Sequence, residues 1–260
     1  MTQTIQLGLP HFQTFVVVLI RIGAILAAMP MLGSRSLPMQ LKTGLATALA
    51  LVVVPFVGPA TWPADTALFL LGLIAEFLVG LVIGLAVRSL FASFEVAGEL
   101  IGSQMGFSIV QLFDPVTSHT VPLMGQLNTV LASLIFLSLN AHVLIVHAIG
   151  ESFRLIPPFG ASLSDTLGDE VMRLFQGGFL VALKLAAPVL VVTLVVNLVL
   201  ALLGRTVPQL NVFVLSFPLT ILCGLFVFGL ALPAVASLCE EEFLKLHEGI
   251  LDLMRTMGHG

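Results

Sequence analysis

The stretch FLVALKLAAPVLVVTLVVNLVLALL, residues 179–203, decides the fold class of this chain. It is longer than the roughly 20 apolar residues that a helix needs to cross a bilayer. Because backbone N–H and C=O groups in lipid need partners within the protein, the stretch is predicted to be a membrane-spanning α-helix. Comparable apolar stretches lie at 12–30, 40–57, 67–87, 127–149 and 214–236. The sequence therefore predicts an all-α, polytopic membrane protein.

The composition agrees with a membrane protein and excludes several other classes. Hydrophobic residues make up 58% of the chain and charged residues 9%, whereas a soluble domain carries roughly 25% charged residues. The net charge is −4 and there is no basic cluster, so nucleic acid is not an expected partner. Arg21 interrupts the first apolar stretch, which predicts a retained span rather than a signal peptide.

The distribution of Lys and Arg tests the number of crossings, because these residues concentrate in cytoplasmic loops. Six crossings give no bias between the two sides. If 92–110 is a further crossing, only Arg205 lies outside, which predicts a periplasmic N-terminus and a cytoplasmic C-terminus. The residues used in this test are Arg35, Lys42, Arg88, Arg154, Arg173, Arg205, Lys245 and Arg255.

The segment FEVAGELIGSQMG, residues 94–106, combines carboxylates with regularly spaced glycines. At 100° per residue Gly98, Gly102 and Gly106 form one ridge of a helix, with Glu95 and Glu99 beside it. A small, polar face of this kind suits close packing on another helix or a wall that lines water. Gly80 and Gly84 repeat the four-residue spacing in the preceding span.

A short apolar stretch, FSIVQLF at 107–113, follows Gly106 and ends at the turn signal Asp114-Pro115. It is too short to span a membrane. One reading is a re-entrant or pore-inserted loop, and the other is a helix that continues into a packed interior.

The chain becomes polar over 151–173, which separates residues 1–150 from a predicted two-helix hairpin at 174–260. The tail of this hairpin, 238–257, has an amphipathic pattern with Phe243, Ile250 and Met254 on one face. We expect the tail to lie on a cytoplasmic partner or at the bilayer surface.

Three charges, Arg21, Glu76 and Lys184, lie inside apolar runs, where an unpaired charge is costly. We predict that they are buried charges in interhelical or intersubunit pairs; a proton path is the alternative. His142 and His147 are five apart, a spacing that does not favour a metal site, so packing roles are expected. No set of nucleophile, base and orienting residue indicates an enzyme, and no cofactor is expected.

Two long motifs carry a resemblance to a known family. Residues 94–107, followed by Asp114-Pro115, and the hairpin motif RTVPQLNVF at 205–213 are similar to those of the FliR family of type III secretion export gates. Within the hairpin motif the resemblance rests on Arg205, Pro208, Gln209 and Asn211. It covers nearly the whole chain, and the run VAGELIG at 96–102 is similar to flagellar rather than virulence-secretion members.

The resemblance implies a subunit of a helical export gate in the inner membrane, at the flagellar basal body. FliP and FliQ would be the gate partners, FlhB and FlhA would lie nearby, and unfolded flagellar proteins would be the cargo. Residues 1–150 would be a FliP-like half containing a plug hairpin at about 92–126, and 174–260 would be FliQ-like.

The resemblance also assigns roles near the channel. It implies a plug formed by 107–113, with a hinge and turn at Gly106, Asp114 and Pro115. The plug side chains would be Phe107, Ile109, Val110, Leu112 and Phe113.

Two other functions stay open from the residues alone. A small-molecule secondary transporter would explain intramembrane charges, but it predicts an internal repeat, which the two halves do not show. The second function that stays open is a structural scaffold that lines no channel.

Overall fold

The fold is described from a computed structural model, which is almost entirely helical. It describes residues 2–30, 37–58, 62–107, 122–161, 166–207, 209 and 211–258. The helices are α1 (Thr2–Ala28), α2 (Met39–Val53), α3 (Thr66–Met105), α4 (Leu123–Ser138), α5 (Ala141–Leu155), α6 (Thr166–Thr206) and α7 (Val212–Gly258). A short 3-10 turn, Val54–Phe56, follows α2. No strand occurs among these residues, which confirms the predicted all-α class.

Four helical stretches are long and apolar enough to cross a membrane, namely Met39–Phe56, Thr66–Met105, Leu167–Thr206 and Val214–Gly258. A fifth is obtained if the pair α4 and α5 is counted as one broken span. The first predicted span corresponds to a shorter apolar helix, Phe12–Ala28. The polytopic membrane class is therefore confirmed, with fewer full-length spans in the described chain than the six predicted stretches.

α3 corrects the prediction of a separate crossing at 92–110. The helix runs through 40 residues from Thr66 to Met105 without interruption, so the stretch 67–87 and the segment 94–105 belong to one helix. At 1.5 Å per residue α3 is about 60 Å long, roughly twice the hydrocarbon thickness. The topology argument that counted 92–110 as an additional crossing therefore fails.

The predicted span 127–149 is also divided. α4 and α5 meet at an angle of 71°, and the joint contains Asn140 in the left-handed region at φ 54°. Asparagine is one of the few residues other than glycine that tolerate this conformation. A hydropathy pattern contains no information about such a bend, which explains why the sequence predicted one straight span.

Backbone contacts group the chain into two compact units that differ from the predicted halves. The first contains 1–90, 140–175 and 243–260, and the second contains 91–139 and 176–242. The polar segment 151–173 includes the end of α5 and the beginning of α6. The halves 1–150 and 174–260 were predicted from the polar segment between them and from the resemblance. That division stays a prediction.

The tail of α7 has the amphipathic face that the sequence predicted. Phe243, Ile250 and Met254 are buried within the chain, together with Leu253 and Met257. A Cβ atom placed on Gly258 would contact the carbonyl oxygen of Leu155. The apolar face of the tail therefore packs on this chain itself, in the first unit, and the expected contact with a partner or the bilayer is corrected.

Candidate functional site

Arg21 lies at the centre of a buried polar cluster in the first unit, which we call the Arg21 junction and define as Arg21, Glu76, Ser152, Ile156 and Phe159. Arg21 Nε donates to Glu76 Oε2 at 2.7 Å, and both side chains are completely buried. Arg21 Nη1 donates to the carbonyl oxygens of Ser152 at 2.8 Å and Ile156 at 3.0 Å. The junction therefore connects α1, α3 and the end of α5.

The guanidinium of Arg21 acts as a cap on α5. The last carbonyl groups of a helix lack intrahelical partners and carry the negative end of the helix dipole, which favours a cation there. The guanidinium also lies 4.1 Å from the ring centroid of Phe153, a favourable cation–π distance. Its atom Nη2 is buried and has no hydrogen-bond partner among the described residues.

Phe159 is held in an unusual backbone conformation by the same carboxylate. Its φ is 62°, in the left-handed region that bulky residues rarely adopt. The Phe159 N–H donates to Glu76 Oε1 at 2.9 Å, and the Phe159 ring lies beside Phe69. A Cβ atom on Gly72 would lie 2.8 Å from Cε1 of Phe159. The glycine therefore makes room for the ring.

The structure brings together two of the three predicted buried charges. Arg21 and Glu76 form the interhelical pair that the sequence predicted. Lys184 is exposed in the single chain, so the interhelical or intersubunit pair expected for it stays a prediction. The other members of the junction were missed. Pro157-Pro158 and Gly160 indicate a turn, but backbone acceptors such as the Ser152 carbonyl have no sequence signature.

The predicted glycine ridge of α3 packs on α4 within the second unit. Gly98 and Gly102 are buried. A Cβ atom on Gly98 would contact the Met124 carbonyl oxygen and lie 2.6 Å from Gly125 Cα, whereas a Cβ atom on Gly102 would lie 3.3 Å from Met124 Cβ. The close approach predicted for these glycines is present, and it is made within the chain rather than to another subunit.

The carboxylates Glu95 and Glu99 beside this ridge are exposed in the single chain. Their exposure in the single chain agrees both with a contact to another subunit and with a wall that lines water. The glycines therefore pack within the chain. The carboxylates beside them stay candidates for a face that contacts another subunit or lines the channel lumen.

Gly80 and Gly84 make a second close helix crossing, with α1 in the first unit. A Cβ atom on Gly80 would lie 2.8 Å from Ala24 Cβ, and one on Gly84 would lie 2.8 Å from the Ile25 carbonyl oxygen. Small residues at four-residue spacing permit such an approach. Gly80 and Gly84 therefore give a close contact between α3 and α1.

The C-terminal end of α3 is held by the first half of α7 in the second unit. The Thr220 hydroxyl donates to the Ser216 carbonyl oxygen of α7 at 2.8 Å and lies 3.5 Å from the Met105 carbonyl oxygen. Met105 is completely buried, and its side chain lies where a Cβ atom on Gly224 would be. Gly106 then takes φ 87°, next to Phe217. This conformation favours glycine, as expected of the predicted hinge.

Only part of the predicted plug can be described. Phe107 is half-buried directly after the hinge. The remaining plug residues Ile109, Val110, Leu112 and Phe113, and the turn Asp114-Pro115, lie outside the described residues.

The hairpin motif joins α6 to α7. Arg205, Gln209 and Asn211 are exposed, and Pro208 lies outside the described residues. The carbonyl oxygen of Asn211 accepts hydrogen bonds from the N–H groups of Val214 and Leu215, and its Oδ1 also accepts from Val214 N–H at 3.4 Å. Asn211 therefore begins α7, a role for which Asn is favoured.

No group of three or more His, Cys, Asp or Glu side chains in the described ranges could hold a metal ion. His142 and His147 are exposed in the single chain, and the packing role expected for them stays a prediction.

Comparisons with known proteins agree with the geometry of a helical membrane component. The profile of the family described as bacterial export proteins, family 1, matches residues 12–246. The flagellar biosynthetic protein FliR of Bacillus subtilis (strain 168) is 34% identical over 253 residues, which cover 95% of this chain and 96% of its own.

Two further relatives carry the same name. FliR of Escherichia coli (strain K12) is 31% identical, covering 92% of each chain. FliR of Aquifex aeolicus (strain VF5) is 31% identical, covering 91% of this chain and 93% of its own. These matches extend over nearly the whole sequence. The chain therefore belongs to the bacterial export proteins, family 1.

Proposed function

We propose that this protein is a core subunit of the flagellar type III export gate in the inner membrane. In this proposal it assembles with FliP and FliQ subunits, next to FlhB and FlhA, around a channel for unfolded flagellar proteins. The observation behind this proposal is the end of α3: a helix longer than a membrane is thick ends at a glycine hinge, which packs against Phe217 and Gly224 of α7. A segment that follows such a fixed end can be positioned reproducibly. The proposed role needs no chemical step and no cofactor.

We propose that residues 107–113 close the channel at rest. A channel wide enough for an unfolded polypeptide would leak ions, and apolar side chains close a pore by excluding water. Apolar closure leaves no unpaired charge when it opens. The buried Met105 and the tight packing against Gly224 support the base of this segment.

Deletion of 107–113 tests the plug. We expect the deleted protein to assemble with its partners at near-normal yield while the membrane becomes permeable to ions and small solutes. A Gly/Ser linker of equal length should leak as well, because it preserves the connection but not the apolar side chains. Phe226→Ala, a change at an exposed position of α7, should stay tight. An assembled deletion variant with a tight membrane would show that these residues are ordinary core.

We propose a periplasmic N-terminus and a cytoplasmic C-terminus. The proposal rests on the positions of Lys and Arg around α1 and around the hairpin, and it does not require a crossing at 92–110. No Lys or Arg precedes Arg21 in α1, whereas Arg35 and Lys42 follow it. In the hairpin, Arg205 is the basic residue at the tip, and Arg173, Lys245 and Arg255 lie towards the opposite ends of α6 and α7. Single cysteines at Gln209 and after Met257 should react from the periplasmic and the cytoplasmic side, respectively. The reverse labelling would reject this orientation.

We propose that Glu95 and Glu99 face the lumen or a neighbouring subunit, and that 1–150 and 174–260 are the FliP-like and FliQ-like parts. Exposure of both carboxylates on a helix whose glycine ridge is already packed supports the first statement. Purifying the assembled complex and counting its subunits tests the partners, and crosslinking from Glu95→Cys tests the face.

A further inference from the structure

A groove lies between α6 and α7 in the second unit, with a volume of about 370 Å³. Its floor is apolar and includes Pro188, Ala231 and Ala234. Lys184, Ser237 and Glu241 contribute polar groups to the same groove. The volume falls in the range of sites that bind small molecules, roughly 300–1,000 Å³.

Lys184 is a cation that faces away from its own chain among apolar neighbours. Leu180 and Leu183 beside it are exposed by 55% and 47%, and the surrounding stretch is apolar enough to cross a membrane. No described residue forms an ion pair with its ammonium group. A lysine in this setting extends towards the nearest anion at the membrane interface.

Pro188 adds an acceptor at the same place. Proline has no N–H, so the helical hydrogen bond that residue 188 would donate to the carbonyl oxygen of Lys184 is missing. Lys184 therefore presents two different groups, an ammonium at the end of its side chain and a backbone carbonyl that lacks this bond.

The other polar groups of the groove are also acceptors. The Ser237 hydroxyl donates to the Ala234 carbonyl oxygen at 3.0 Å, so its oxygen lone pairs are what it offers to a ligand. Glu241 contributes a carboxylate, which accepts hydrogen bonds at two oxygens. The groove therefore combines one cation with several acceptors.

The groove also lies at the right depth for a lipid headgroup. The apolar stretch of α7 ends at Cys239, and Glu240, Glu241 and Glu242 follow directly. A lipid headgroup occupies this boundary between hydrocarbon and water.

We propose that this groove binds a phospholipid whose headgroup carries both a phosphate and a primary ammonium, a phosphoethanolamine lipid. The phosphate pairs with the Lys184 ammonium. The lipid ammonium donates to Glu241 and to the Lys184 carbonyl oxygen, and an acyl chain lies on the floor formed by Pro188, Ala231 and Ala234. A choline headgroup fits less well because it has no N–H donor, and a purely anionic headgroup would place negative charge beside Glu241.

Lipid retention tests the proposal with the full chain and the partner proteins that purify with it. The complex is incubated in mild detergent with equal amounts of phosphatidylethanolamine and phosphatidylcholine, and retained lipid is counted by native mass spectrometry. We expect preferential retention of phosphatidylethanolamine. Lys184→Gln should lower its occupancy about tenfold, the factor for loss of one charge-assisted hydrogen bond. Arg173→Gln, which removes an exposed cation of α6 that pairs with Glu170 outside the groove, should leave occupancy unchanged.

Equal retention of the two lipids, or undiminished retention by Lys184→Gln, would overturn the proposal. A second measurement leaves Lys184 intact, so it does not depend on the assembly of the variant. A photoreactive residue of similar size replaces the exposed Leu180, one helical turn before Lys184, in the full chain, and crosslinking is carried out in cell membranes. A crosslink to phosphatidylethanolamine supports the site, whereas crosslinks only to another protein would show that a partner chain fills the groove.

Discussion

Arg21 donates to Glu76 and to two backbone carbonyls, while Glu76 also accepts the N–H of Phe159. Removing two charges from water is expensive, so a buried pair of this kind adds little net stability by itself. Its effect is greater when one partner is removed, because the other charge is then buried without compensation. We infer that the Arg21 junction fixes the relative register of α1, α3 and the end of α5.

Arg21→Gln should therefore destabilise the protein by about 3–5 kcal/mol, as expected when one member of a buried ion pair is lost. The melting temperature of the assembled complex in detergent measures this effect. Arg154→Gln is the matched control, because Arg154 pairs with Glu151 at the surface, with 77% of the arginine side chain exposed. Exposed pairs contribute less than about 1 kcal/mol.

The double variant Arg21→Gln/Glu76→Gln should be less destabilised than the sum of the two single changes, because it leaves no unpaired charge. Equal melting temperatures for Arg21→Gln and Arg154→Gln would contradict the role assigned to the junction.

The glycines of α3 differ in how much space they have, and this gives a graded prediction. Gly98→Ala should cost about 1–3 kcal/mol through overpacking, because its Cβ would meet backbone atoms of α4. Gly102→Ala should cost less, since Met124 can shift its side chain, whereas Gly102→Leu should again cost about 1–3 kcal/mol.

Gly229→Ala is the control for these glycine variants. Nothing lies within 4 Å of its added Cβ, and alanine favours a helix over glycine by up to about 1 kcal/mol. The yield and melting temperature of the assembled complex distinguish the variants. Equal behaviour of Gly98→Ala and Gly229→Ala would mean that the contact between α3 and α4 is looser than described.

At the scale of whole elements, α3 shows what the sequence could and could not predict. The spacing of Gly98 and Gly102 predicted a helix with a small face, and this was confirmed. The separation of the span 67–87 from a further crossing at 92–110 was wrong, because α3 is continuous there and no proline or glycine occurs from residue 85 to residue 97. Hydropathy measures how well a segment fits into lipid, whereas a helix stays continuous where proline and glycine are absent.

The tail of α7 gives a prediction for an element. Met254 is completely buried, whereas Leu244 on the same helix is 57% exposed. Met254→Ala should lower stability by about 2–5 kcal/mol, the usual cost of truncating a buried side chain, and Leu244→Ala should have little effect. Thermal unfolding of the two variants in detergent checks this difference. Similar losses would show that the tail packs on a partner instead.

At the scale of the whole molecule, most of the apolar surface has no cover within the chain. Only 17–28% of the most apolar window in each of the four candidate spans is buried. Either lipid or another subunit can cover such an apolar surface. The apolar sequence pattern is the same in both cases. The membrane class could therefore be predicted from residues 179–203 and similar stretches, whereas the partners could not.

Expression of this chain alone should give an unstable, polydisperse protein, because its exposed apolar faces need partners. Co-expression with FliP-type and FliQ-type proteins should restore a single species. Size-exclusion chromatography in detergent measures both. A monodisperse, folded monomer from the single chain would count against the proposed assembly.

The division into two compact units has a practical consequence for dissecting the protein. Three of the four boundaries fall inside helices, in α3 after Leu90, in α6 after Phe175 and in α7 after Glu242. Proteases cut exposed, flexible loops rather than hydrogen-bonded helices. Limited digestion should therefore nick the chain without releasing either unit as a fragment, and neither can be cloned as an independent piece without severing a helix.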